Sequence, residues 1–106
     1  HIDAICGVID FPENKDYIIG LNMPFAFTAV ATTTQLTAGT CTVVTKKNTT
    51  AVTGLSNSAT TSEVTTTATA GNTYAAGDDV RLTVSSVSST CEGLAFSIKI
   101  TRTVTP

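Results

Sequence analysis

The chain has 106 residues, with six Lys and Arg against eight Asp and Glu and a formal net charge of −2. This length makes one domain, expected over residues 1–106. Weak acidity with basic residues scattered excludes nucleic acid as the main partner, because phosphate binding needs clustered Lys and Arg.

The elements follow in chain order. Residues 2–9, IDAICGVI, alternate so that Ile2, Ala4, Cys6 and Val8 share one face of a strand. The stretch FPENKD, residues 11–16, is a polar turn opened by Phe11-Pro12. YIIGLN, residues 17–22, reads as a strand, and MPFAFTAVA, residues 23–31, continues or pairs with it. Phe25 and Phe27 share a face there, and Pro24 favours an edge or a bulge. Residues 32–40 are loop-like, with a short strand expected around Gln35 and Leu36. CTVVTKK, residues 41–47, is a strand. A hairpin turn over 47–50 uses Asn48, which tolerates a left-handed backbone, and the chain returns over 51–56. SEVTTTATA, residues 62–70, is a Thr-lined strand. After the loop GNTYAAGDD, residues 71–79, comes VRLTVSS, with Val80, Leu82 and Val84 on one face. LAFSIKITRTV, residues 94–104, closes the chain with Leu94, Phe96, Ile98 and Ile100 pointing inward. The apolar faces of 80–84 and 94–100 are the strongest, and these two segments are expected to pair antiparallel at the centre of the core. About eight short strands at ten-residue spacing, with no helical periodicity, predict an all-β antiparallel sandwich or barrel.

The polar surface is built from 23 Thr and 8 Ser. Thr suits a pleated, half-exposed face, and a Thr-built surface is common in extracellular or particle-borne β proteins. No apolar run reaches the ~20 residues of a membrane-spanning helix, and no secretory leader pattern is visible. The first residue is His1, which reads as a processed or excised terminus. Three cysteines, Cys6, Cys41 and Cys91, lack any C-x-x-C spacing. One disulfide with a free thiol and three free thiols both satisfy the count. Cys41 and Cys91 read as small buried side chains.

No catalytic or metal constellation is expected, and no cofactor. His1 is the only histidine, which leaves a triad or histidine-based zinc site without its parts. Asp78 and Asp79 are adjacent, so in a strand they project to opposite faces, unlike the closely spaced oxygen ligands of a calcium loop. Gly77 and Asp78 are expected to form a turn closed by an aspartate side chain on backbone, with Asp79 starting the strand. Asp10, Glu13 and Asp16 cluster near one turn, but glycoside chemistry needs a cleft with stacking aromatics. The chain has no Trp, two Tyr and four Phe. Lys46 and Lys47 read as a solvated hairpin. Asn48-Thr49-Thr50 matches a glycosylation sequon, for which the turn reading suffices. The chain is not expected to be an enzyme.

Three segments carry a resemblance: PFAFTAVATTTQLTAGTCTVVTKKNTTAVTGLS, SEVTTTATAGNTYAAGDDVRLTVSS and LAFSIKITR. Together, over about residues 24–102, they resemble a β-sandwich module of tailed-bacteriophage virion proteins: tail-fibre, head-fibre and capsid-decoration components. In such modules a GT-x-T-V strand leads to a hairpin and a Gly, an A-A-G-D turn precedes an apolar strand, and F-x-I-x closes the chain. The resemblance implies a jelly-roll-like fold and a structural role on the virion surface, as a decoration (cement) or fibre component. It also implies contacts with other virion proteins and with copies of itself, commonly as a homotrimer. It supplies no catalytic residues. Expected subunit contacts are Ile2, Ala4, Cys6 and Val8, on an N-terminal arm over residues 1–10, together with Phe25 and Phe27. A second class of function is a receptor- or glycan-binding tip. Its candidate loops are 11–16, 47–50 and 71–79, with Tyr17, Asn48 and Tyr74 meeting a host-surface glycan. A third is a subunit of an extracellular fibre assembled by strand exchange.

Overall fold

The computed structural model describes residues 2–102. His1 and the end of the predicted last strand lie outside the described residues. Nine strands follow one another: β1 (Ile2–Ile9), β2 (Lys15–Gly20), β3 (Phe27–Gln35), β4 (Cys41–Lys47), β5 (Thr50–Ala59), β6 (Val64–Thr67), β7 (Thr73–Tyr74), β8 (Val80–Ser85) and β9 (Leu94–Thr101). They form two antiparallel sheets. Sheet A runs β1-β9-β3-β6, with the two-residue β7 also on β3; sheet B runs β2-β8-β4-β5. First pairs with last in each sheet, and the middle strands nest between them. With β7 set aside, that winding is an eight-stranded jelly roll.

The alternation read from the sequence locates the core. Val80, Leu82 and Val84 of β8, and Leu94, Phe96, Ile98 and Ile100 of β9, are all buried. The expected pairing of these two strands is wrong, however. β8 pairs with β2 and β4, and β9 pairs with β1 and β3. Each is a central strand of its own sheet, and they belong to opposite sheets of the sandwich. Apolar alternation reports which face is buried, not which strand supplies the hydrogen bonds.

Two strand boundaries move. Residues 21–26 are a connection with Asn22 at φ 49°, and the strand starts at Phe27. The presumed loop after residue 31 is the second half of β3, where Thr32 and Thr34 point into the core and are fully buried. Their polar atoms are satisfied across the sandwich. The Thr32 and Thr45 hydroxyls share a 2.8 Å hydrogen bond between β3 and β4. Asn57 of β5 is fully buried. Its Nδ2 donates to Thr32 O (3.0 Å), Val64 O (3.1 Å) and Thr34 Oγ1 (3.3 Å), and its Oδ1 accepts from Thr66 Oγ1 at 2.6 Å. One amide thus clasps β5 of sheet B to β3 and β6 of sheet A.

The same flank is closed by backbone. Thr53 bridges Ala70, and Thr69 N donates to Thr53 O at 2.9 Å. The opposite flank carries the edge strands β1 and β2. Among the described residues, the exposed large apolar side chains are Ile2, Val8, Phe11, Ile18 and Leu21, all within the first 21 positions and hence on or beside this flank.

Candidate functional site

The expected subunit-contact residues divide. Ile2, Ala4, Cys6 and Val8 are all exposed, while Ile5 and Ile9 turn inward against the core. β1 lies along β9 of its own chain from Ile2–Thr101 to Ile9–Leu94. Phe27 does not serve as a surface contact. It is buried, stacked on Tyr74 with ring centroids 4.5 Å apart. Phe25 is half-buried, edge-on to Phe27 at 5.9 Å and covered by the Arg102 guanidinium at 4.2 Å.

The register builds a continuous outer face on sheet A. Its rungs are Ile2–Thr101–Thr28–Thr73, Ala4–Lys99–Ala31–Thr67, Cys6–Ser97–Thr33–Thr65 and Val8–Ala95–Gln35. Lys99 is the single charge on these rungs. The Thr33 and Thr65 hydroxyls hydrogen-bond at 2.8 Å along one of them. This face is paved with short side chains that have little rotamer freedom to lose.

The proposed ligand residues are not gathered in one place. Tyr74 is fully buried, its hydroxyl donating to Lys46 O at 2.9 Å, so it presents no ring to a glycan. Burial, and then the Asp78 charge, raise its hydroxyl above the ordinary tyrosine range. Tyr17 is half-buried, with Lys15 Nζ 4.9 Å above its ring and its hydroxyl accepting the Glu13 amide at 2.8 Å. Asn48, at φ 53°, spends its side chain on the corner at 75–79. Its Nδ2 donates to Asp78 Oδ1 (3.2 Å), and its Oδ1 accepts from Asp79 N (2.9 Å).

That corner is a structural lock. Gly77 takes φ 96°, a conformation side chains resist. The Asp78 carboxylate accepts the Ala75 amide at 2.9 Å. Asp79 accepts the Asn22 amide at 2.8 Å and pairs with Arg81 at 3.4 Å. The acidic pair therefore ties loops 21–26, 48–49 and 75–79 together. The Asp78 carboxyl is held below the usual aspartate value by the Ala75 amide, then by the Asn48 amide, with Lys47 adding to the effect. A lowered carboxyl stabilises the fold in full above the unfolded value, and the contribution is lost as pH falls through the folded one. Asp78→Ala is therefore expected to melt below the wild type at neutral pH. The gap should close as pH drops below 3.8, read by thermal melts at stepped pH; a constant gap would contradict the assignment.

Loops 10–14, 36–40, 60–63 and 86–93 meet at the other end. Gly93 N donates to Asp10 O (2.7 Å), Thr37 N to Glu92 O (3.1 Å) and Leu36 N to Thr60 O (2.7 Å). A groove of about 420 Å³ opens there between Val8, Asp10 and Phe11 on one side and Thr37, Glu92, Gly93 and Ala95 on the other. It continues into a hollow of about 480 Å³ on Gln35, Leu36, Thr37 and Thr61. Phe11, 74% exposed, is the aromatic ring of the groove, with Asp10, Thr37 and Glu92 as its polar lining, and Gln35 lies in the adjoining hollow. In the sequence Phe11-Pro12 reads only as a turn opener. A bulky aromatic in an otherwise polar turn was the available signal. Thr37, Glu92 and Gly93 gave none, because only the fold brings them to residue 10. Of the three proposed ligand loops, 11–16 is at this end and the other two are at the opposite one.

Glu13 pairs with Lys15 at 3.6 Å, and Asp16 accepts the Thr83 hydroxyl. Among the described residues no group of three or more His, Cys, Asp or Glu side chains is placed to hold a metal ion, and no helix is long and apolar enough to cross a membrane.

No protein-family model matches the chain, and no curated protein matches it. Among solved structures, it is similar in fold to the N-terminal cellulose-binding domain of Cellulomonas fimi β-1,4-glucanase C. The TM-score is 0.53 at 15% identity, covering 97% of this chain and 80% of that one. The chain is an antiparallel β-sandwich, as that neighbour is.

Proposed function

We propose that this chain is a non-enzymatic structural module of a bacteriophage particle surface, packing against copies of itself and other virion proteins. The observation that carries the assembly role is the outer face of sheet A, paved largely with Thr, Ser and Ala and bearing Lys99 as the single charge on its paired rungs, with Ile2 and Val8 exposed along one margin. Covering such a face removes apolar surface from water and strips few charges of their hydration. The edge of β1 beside it offers unpaired backbone to a neighbouring chain. The virion assignment rests on the resemblance of residues 24–102. Light scattering over a range of concentrations is expected to give a mass near three times the 10.9 kDa of one chain. A single-chain mass throughout would count against assembly through its own copies.

A second reading is glycan binding, favoured by the groove at Phe11. Sugar rings stack on exposed aromatics, and carboxylates and amides accept and donate to their hydroxyls. The cellulose-binding neighbour is compatible with that reading. Saturation-transfer NMR with a panel of host-surface and β-glucan oligosaccharides is expected to show contacts that Phe11→Ala removes. Equal signals from the variant would sink it.

A further inference from the structure

We infer that Cys41 and Cys91 form an intramolecular disulfide when the protein meets an oxidising medium, and that Cys6 stays outside it. All three cysteines are free in the structure, but they are not equivalent. Cys6 sits on the outer face of sheet A and is exposed. Cys41 is buried at the start of β4, and Cys91, half-buried in the connection 86–93, packs against the same core. Cys91 is the neighbouring group whose thiol acts on that of Cys41.

The backbone around the pair is fixed from both sides. Ser88 N donates to Thr40 O at 3.0 Å, Cys91 N donates to Ser88 O at 3.1 Å, and Ala38 bridges Glu92. The Ser88 hydroxyl accepts the Thr40 amide at 3.0 Å. The approach is so close that a Cβ on Gly39 would stand 2.5 Å from the Cys91 Cα, and Gly39 holds φ 81° to allow it. The two cysteines thus sit on adjacent segments whose backbones are pinned to each other, the arrangement in which an oxidant can join them.

The sulfurs have separate roles. Burial, and then the neighbouring Cys91, push the Cys41 thiol up to about 12, so it stays protonated at neutral pH. Cys91 is the sulfur nearer solvent. With glutathione disulfide as oxidant, the Cys91 thiolate attacks one sulfur, the S–S bond breaks, and one glutathione leaves as a thiolate that takes up a proton. With Cys91 bonded to glutathione, the Cys41 thiol gives up its proton and the resulting thiolate attacks the Cys91 sulfur, displacing the second glutathione as a thiolate that takes up a proton. Two protein thiols are oxidised and one glutathione disulfide is reduced to two glutathiones. The bond would join the first residue of β4 in sheet B to the connection that leads into β9 in sheet A. It closes a long loop of the unfolded chain, which is where a crosslink stabilises most.

The test uses Cys6→Ser, which removes the exposed thiol and any intermolecular pairing through it. The variant is incubated with glutathione disulfide or with dithiothreitol, then denatured and treated with maleimide. The reduced sample should take two maleimides. The oxidised sample should take none, carry no glutathione, lose the mass of two hydrogens and melt roughly 10 °C higher or more. In Cys6→Ser/Cys41→Ser, glutathione should remain on Cys91 as a stable adduct, since nothing displaces it. Two reactive thiols after oxidation, or glutathione retained while Cys41 is present, would overturn the inference.

Discussion

Asn57→Leu is expected to lower folding stability by about 3 kcal/mol or more, although the replacement is similar in size and the site is fully buried. Deleting the amide leaves Val64 O, Thr32 O and the Thr34 and Thr66 hydroxyls to seek other partners inside the sandwich. An unmade buried hydrogen bond costs the desolvation of the stranded group, about 1–3 kcal/mol each, far more than a made bond gains. Asn57→Asp should be worse, because a carboxylate offers no donor and would face three acceptors at low dielectric. Urea unfolding gives the comparison, with the midpoint falling and the slope unchanged. A leucine variant within about 0.5 kcal/mol of wild type would mean that the clasp is dispensable, as surface substitutions are.

Gly54→Val is expected to be at least as damaging. Gly54 sits inside β5 at φ 95°, where a β-branched residue is strained by about 1–3 kcal/mol. A Cβ there would also stand 2.5 Å from Thr67 O and 3.1 Å from Thr69 N. Both are backbone atoms of the strand and loop that close the flank, so no side chain can swing aside. The expected outcome is loss of about 3 kcal/mol or more, or no folded protein at all. Gly71→Ala is the control, for its φ is also positive but nothing lies within 4 Å of its Cβ. It should pay only the backbone strain. Equal melting temperatures for the two variants would contradict a packing role for Gly54.

Gly54 and Asn57 also explain what was hard to read. Val52 and Leu55, both buried, are three apart, so strict alternation fails at the glycine. From Leu55 the alternation resumes through Asn57 to Ala59. Without the irregularity, Asn57 falls in a Ser- and Thr-rich run that looks solvated. The buried threonines hide similarly, since Thr32 and Thr34 have the composition of the exposed Thr65 and Thr67. Where alternation was apolar and unbroken, as in Val80–Ser85 and Leu94–Thr101, the inward face was legible residue by residue. The corner at 75–79 was legible too, because glycine at a positive φ and an aspartate capping its own turn are local chemistry. Partnership was not local. Neither the separation of β8 from β9 into different sheets nor the meeting of Phe11 with Glu92 has a signature at any single position. Tyr74 illustrates the same limit. Its loop context suggested exposure, and the two-residue β7 instead carries it inward onto Phe27.

Assembly through the outer face of sheet A, as proposed above, puts the middle of that face in the contact between chains. Ser97 stands at its middle, between Cys6 and Thr33, and Thr42 stands on the outer face of sheet B beside Ser58 and Ser85. The most direct measurement is light scattering of Ser97→Arg beside Thr42→Arg and wild type at equal concentration. Ser97→Arg alone is expected to fall to the mass of one chain, with its melting curve still cooperative. An oligomer that survives Ser97→Arg, or one lost equally in Thr42→Arg, would contradict it.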